Sequence, residues 1–158
     1  MGETRCIIHG TCVAWGTEAA LLRGDSGAGK SDLALRFLAL PPGPDSEPKL
    51  IADDQVCIEA SAAGELLASA PATLAGKIEV RGLGILETPH LAQGRLVLVV
   101  DLVSDAEVPR MPPDPLETVT IAGVALPRLA LAAFEPSSPL KLKLALLQAA
   151  SQSPGEQA

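Results

Sequence analysis

Residues 18–38 read EAALLRGDSGAGKSDLALRFL: a short apolar run, the loop Gly24-Asp25-Ser26-Gly27-Ala28-Gly29-Lys30-Ser31, then Leu33, Ala34, Phe37 and Leu38 at helical spacing. The run predicts a strand over Glu18–Arg23. The spacing predicts a helix from about Gly29 that stops at Pro41-Pro42, with Asp32 and Arg36 four apart on its surface. The loop satisfies GxxxxGK[ST] in the context its mechanism requires, after a strand and at the start of a helix. Glycines let such a loop wrap an anion, so that successive backbone N–H groups and the positive helix end converge on phosphate. In that chemistry Lys30 reaches the β- and γ-phosphates of ATP, and the Ser31 hydroxyl holds a bridging Mg²⁺.

Working outward, TRCIIHGTCV (4–13) reads as one strand. PPGPDSEP (41–48) carries four prolines in eight residues and must be a loop. A strand KLIADD (49–54) leaves it, followed by VCIEA and ELLASA strands joined around Ala62-Ala63-Gly64, and one helical turn over Pro71–Gly76. In IEVRGLGILE (78–87) a loop meets a strand, with Gly82 and Gly84 marking a turn or a close approach. RLVLVVDLV (95–103) is continuously apolar up to Asp101, as expected of a strand buried on both faces. VPRMPPDP (108–115) is a second proline-dense loop, and ETVTIAGVAL a hairpin about Ala122-Gly123. Ser138 and Pro139 supply an N-cap and first position for a C-terminal helix, whose Lys141 and Lys143 read as a solvated face. The reading is one domain over 1–158, with a tail at 151–158.

Composition narrows the partners. Twelve basic residues face nineteen acidic ones, a net charge of −7, which argues against nucleic acid and anionic membranes. Three scattered aromatics, Trp15, Phe37 and Phe134, cannot build a stacking platform for bases. Cys6, Cys12 and Cys57 are odd in number and lie in apolar stretches, which reads as buried thiols in a reducing cytoplasm. There is no guanine-reading NKxD element, and the arginines form no cluster that could make a nucleotide-kinase lid.

Two more motifs carry chemistry. Asp53-Asp54 ends the KLIADD strand, where a carboxylate can bind Mg²⁺ or accept a hydroxyl proton. Lys77-Ile-Glu79-Val-Arg81-Gly82-Leu-Gly84 sets a carboxylate and a guanidinium two residues apart. With GDSGAGKS, ADD and EVRGLGI in this order, the chain resembles the catalytic domain of HPr kinase/phosphorylase from about Ile7 to Leu147. The resemblance implies an α/β fold of the P-loop kinase, PEP-carboxykinase-like kind: a mixed sheet with a P-loop helix and a C-terminal helix. It implies ATP and Mg²⁺, an HPr-like phosphocarrier as substrate, and self-association as a hexamer. By the same resemblance His9 is an active-site histidine, Lys30 the phosphate-binding lysine, and Ser31 and Glu79 the Mg²⁺ ligands. Asp54 is the general base supported by Asp53, Arg81 belongs to the signature, and Arg110 is the active-site arginine, although a proline precedes it.

The departures from the family are a longer proline-rich loop before ADD and the lack of its large N-terminal domain, as in the short proteobacterial form. The stretch 134–143, FEPSSPLKLK, has no arginine where the family has an element linked to dephosphorylation, and Lys141 is a point charge in its place. The competing classes are an ATP-binding regulatory module without catalysis and a small-molecule kinase on the same cradle.

Overall fold

In the computed structural model, which describes residues 5–152, the stretch read as one strand over 4–13 is two, β1 (Arg5–His9) and β2 (Thr11–Trp15). Gly10 separates them for a physical reason. A Cβ there would lie 2.8 Å from the Leu22 carbonyl oxygen, and its N–H donates to the Asp54 carbonyl at 3.0 Å. The chain therefore bends where it passes closest to β3 (Glu18–Arg23). Next come α1 (Lys30–Leu38), β4 (Pro48–Ala52), β5 (Gln55–Ala60) and β6 (Leu66–Ser69), then a 3-10 turn over Ala72–Leu74. The segment read as a loop meeting a strand is a separate hairpin, β7 (Lys77–Val80) with β8 (Gly84–Glu87). The remaining elements are β9 (Gly94–Leu102), a 3-10 turn over Asp105–Glu107, β10 (Thr118–Ile121), β11 (Val124–Leu131) and α2 (Ser138–Ser151).

Nine strands form one mixed sheet in the order β1-β5-β6-β9-β3-β2-β4, with β10 joined through β11. The long apolar β9 is its centre. Parallel β3 runs along one edge, and the other is shared by antiparallel β6 at residues 94–96 and parallel β11 at residues 99–102. The two ends of this order are halves of one antiparallel ribbon: β1 pairs with β5 and β2 with β4. The ribbon bends at Gly10 on one strand and at Asp53-Asp54 on the other, so the sheet rolls up around an interior.

Two cores result. Cys12, Ala14, Ala19, Leu21, Val56, Ile58 and Leu66 fill the interior of the roll. The alternate positions Val13, Trp15, Ala20 and Leu22 pack against Leu33 and Phe37 of α1 and Leu142 and Leu146 of α2. Strands covered on both sides have no polar face to show, which is why β2, β3 and β9 read as unbroken apolar runs.

Some details differ from the expectation. Only Cys12 is fully buried, and burial pushes its thiol pKa far above the ordinary value; Cys6 and Cys57 are half-buried because β1 is an edge strand. The cap of α2 is Ser137, one residue early, since the Ser138 hydroxyl donates to the Ala132 carbonyl at 2.5 Å and ties the helix to the end of β11. Lys143 is not simply solvated: its ammonium lies 4.1 Å from the Trp15 ring centroid, while Lys141 pairs with Glu135 at 3.0 Å. Ser151 belongs to α2 rather than to a tail, and residues 153–158 lie outside the described residues. Among the described residues, no helix is long and apolar enough to cross a membrane.

Candidate active site at the phosphate cradle

The cradle leaves the C-terminal end of β3 and enters α1. Gly29, the last loop residue, has φ +99, and a Cβ on it would lie 2.7 Å from the Ala133 Cβ and 2.8 Å from the Phe134 ring. Both conditions demand glycine. Lys30 is nearly buried and folds back over the loop it follows, donating to the Gly24 carbonyl at 2.7 Å and the Asp25 carbonyl at 3.1 Å. Its ammonium is thus held at the loop.

Asp53 is the hub of the site. Its Oδ1 accepts from the Ser31 hydroxyl at 2.8 Å and the Thr11 hydroxyl at 2.9 Å, and its Oδ2 accepts from the Glu79 backbone N–H at 3.1 Å. One buried carboxylate thereby joins the P-loop helix, β2, the end of β4 and the β7–β8 hairpin. A buried carboxylate needs such partners, because desolvation of an unpaired one costs several kcal/mol.

Asp54, the next residue, points the other way. It is exposed, in the left-handed region at φ +78, and its Oδ1 stands 3.3 Å from Nδ1 of the exposed His9. Non-glycine residues at positive φ cost about 1–3 kcal/mol and cluster at functional sites. The corner in the ribbon explains the division: at the bend, Asp53 turns inward to the cradle and Asp54 outward beside the last residue of β1.

His9, Lys30, Ser31, Asp53 and Asp54, together with the backbone of Glu79, are thus brought to one place. The Glu79 side chain is exposed on β7. Arg81, in the hairpin turn, and Arg110, in the second proline loop, are exposed and make no hydrogen bond or ion pair with the other candidates. Met111 to Leu116, directly after Arg110, instead line a cavity of about 1030 Å³, against Arg95–Leu98 in the N-terminal half of β9. The cradle lies toward the opposite end of these parallel strands, so this cavity and the cradle are separate.

Several contributors escaped the sequence reading. Thr11 gave no signal beyond being polar in an apolar run. Asp101 is a lone acid in a buried strand, and such a residue needs a partner. It has two: Arg23, immediately before the cradle, at 2.8 Å and Arg128 on β11 at 2.7 Å. Burial works against its charge, but hydrogen bonds from Arg23 and Arg128 outweigh it and hold its carboxyl below the usual range. A folded-state value below the unfolded value of about 3.9 means that the unfolded chain binds the proton more readily. The stabilisation is therefore present above about pH 4 and fades as the pH falls through the folded value. Thermal midpoints measured from pH 5 to pH 2 are expected to fall less steeply for Asp101→Asn than for the wild type; parallel curves would contradict this.

The model of the HPr serine kinase C-terminal domain matches residues 3–131 of the chain. The chain belongs to this family. Among curated family relatives, the HPr kinase/phosphorylase of Bordetella pertussis is 33% identical over 127 residues, 76% of this chain and 39% of that protein. The Limosilactobacillus reuteri protein of the same name is 31% identical over 132 residues, with 77% and 39% covered, and that of Clostridium tetani is 39% identical over 89 residues, with 56% and 26% covered. The chain therefore spans between a quarter and two fifths of the length of these relatives. The fold is shared with the structure of the Hpr(Ser) kinase/phosphatase from Coxiella burnetii, with a TM-score of 0.77 at 21% identity, over 96% of this chain and 94% of that one. The family match stops at Leu131, before the Phe134 turn and α2.

Proposed function

We propose that the chain is a P-loop kinase domain, of the PEP-carboxykinase-like kind, that transfers the γ-phosphoryl of ATP to a seryl hydroxyl of HPr or an HPr-like phosphocarrier in the cytoplasm. The observation that carries this reading is the division of labour at one corner: Asp53 buried on the cradle's serine, Asp54 exposed beside His9. A nucleotide sensor would need the cradle and its metal support but not an outward carboxylate.

Loop N–H groups and Lys30 hold the phosphates, and Arg81 and Arg110 are the family's further cationic groups. The donor set suits Mg²⁺. Ser31 donates its proton to Asp53, which leaves hydroxyl lone pairs for an ion, and Asp53 and Glu79 supply hard oxygen. Bound there, Mg²⁺ would neutralise charge on the phosphate oxygens.

Asp54 orients the seryl hydroxyl and takes its proton as the hydroxyl oxygen bonds to the γ-phosphorus. The bond from that phosphorus to the β–γ bridging oxygen breaks, and ADP departs. His9 steadies the Asp54 carboxylate. Incubation with γ-labelled ATP, Mg²⁺ and an HPr-like carrier is expected to yield acid-stable phosphoserine on the carrier. Label on a metabolite would point to a small-molecule kinase, and absence of transfer despite ATP binding to a regulatory module.

A further inference from the structure

We propose that Phe134 is the surface on which the base of the nucleotide stacks, making the donor site selective for nucleotides without reading which base they carry. The proposal rests on the cradle binding the triphosphate.

The chain has three aromatic side chains, and two are spent on the core. Trp15 and Phe37 are 7% and 0% exposed and meet edge to face at 6.2 Å between ring centroids. Phe134 is 66% exposed, yet it is not on an arbitrary part of the surface. Its ring edge lies against Gly29, so close that a Cβ there would be 2.8 Å from Cζ and 3.0 Å from Cε1. Gly29 is where the loop hands over to α1. A triphosphate lying on the loop N–H groups must send its ribose and base away from the loop, and Phe134 is the exposed aromatic ring packed at the loop's end.

The position is also built. Arg36 on α1 donates to the Ala133 carbonyl and, at 3.2 Å, to the Glu135 carbonyl, gripping the backbone on both sides of Phe134. Asp32 holds the same guanidinium at 3.0 Å. The Ala132 carbonyl accepts from the buried Ser138 hydroxyl. The helix that begins at the cradle therefore fixes the turn carrying the ring, and a pre-positioned ring loses little freedom when a base settles on it. Stacking works for every base because each has a π-face, whereas base choice requires hydrogen-bonding groups aimed at base edges. The acidic composition and the scarcity of aromatics argue against a platform for nucleic acid; one ring is enough for one base.

Calorimetric titration of wild type, Phe134→Ala, Phe134→Trp and Phe134→Leu with ATP, GTP and inorganic tripolyphosphate, all with Mg²⁺, tests this. ATP and GTP should bind the wild type with similar affinity. Phe134→Ala and Phe134→Leu should weaken both by roughly 5- to 100-fold while leaving tripolyphosphate unchanged, and Phe134→Trp should restore both. Wild-type ATP binding by Phe134→Ala overturns the proposal. So does equal loss of ATP and tripolyphosphate, which would show that the ring only shapes the loop through Gly29. A wild-type protein that binds neither ligand would overturn the cradle reading itself, a result distinct from the other two.

Discussion

Replacing Asp54 with Asn is expected to cut phosphoryl transfer by about 100- to 10,000-fold, the span general-base groups contribute, with ATP binding nearly unchanged. The substitution isolates the proton. Asn is close in shape and is among the residues that tolerate the left-handed region, so the backbone at φ +78 and the Gly10 hydrogen bond to the Asp54 carbonyl should persist. The Asp54 side chain makes no hydrogen bond or ion pair with the cradle loop, and its carboxylate lies 3.3 Å from Nδ1 of His9. What is lost is the capacity to accept the seryl proton. Single-turnover transfer from labelled ATP measures the chemical step and calorimetry the binding; transfer at the wild-type rate would remove Asp54 as the base.

Asp53→Ala should behave differently, damaging the fold and the proposed metal site together. Three donors converge on this carboxylate: the hydroxyls of Ser31 and Thr11 and the N–H of Glu79. Ser31 can turn toward water, but Thr11 is 1% exposed and would be left unsatisfied. A buried donor without a partner costs about 1–3 kcal/mol, and with the Glu79 tie also lost a total of about 2–5 kcal/mol is expected. At roughly 2–4 °C per kcal/mol for a domain of this size, the thermal midpoint should drop by about 5–15 °C. Mg²⁺ enhancement of ATP binding should vanish, because the ion loses a ligand and Ser31 its orientation. Asp53→Asn, which keeps the shape and one accepting oxygen, should fall between the two. An unchanged midpoint in Asp53→Ala would show that the hub does not hold the four elements together.

The contrast between these neighbours was only partly legible beforehand. The cradle could be read from residues 18–38 because its chemistry is local: a strand end, a loop of glycines and a helix start are contiguous in the chain. The strands β3, β4, β5, β6 and β9 were legible for the same reason, since an apolar run announces burial wherever its partners come from. The break at Gly10 was not, because it is forced by the Leu22 carbonyl and the Asp54 turn, both distant in sequence. Nor was the β7–β8 hairpin, where glycines at 82 and 84 marked a turn without saying what pairs across it. Arg110 illustrates the limit from the other side: its loop is legible, but the segment after it runs along the far half of β9.

By itself, then, the sequence determined an α/β domain organised around a phosphate cradle, and the motifs that tie it to its family. Only the tertiary structure decided which carboxylate faces inward and which outward, that Thr11 and Asp101 have charged or polar partners, and that one exposed ring stands at the cradle. The physical reason is that hydrogen bonding and burial are properties of neighbours in space. Asp53 and Asp54 are chemically identical and adjacent in the chain; a bend in a two-stranded ribbon turns one inward to the hydroxyls of Thr11 and Ser31 and leaves the other exposed beside His9.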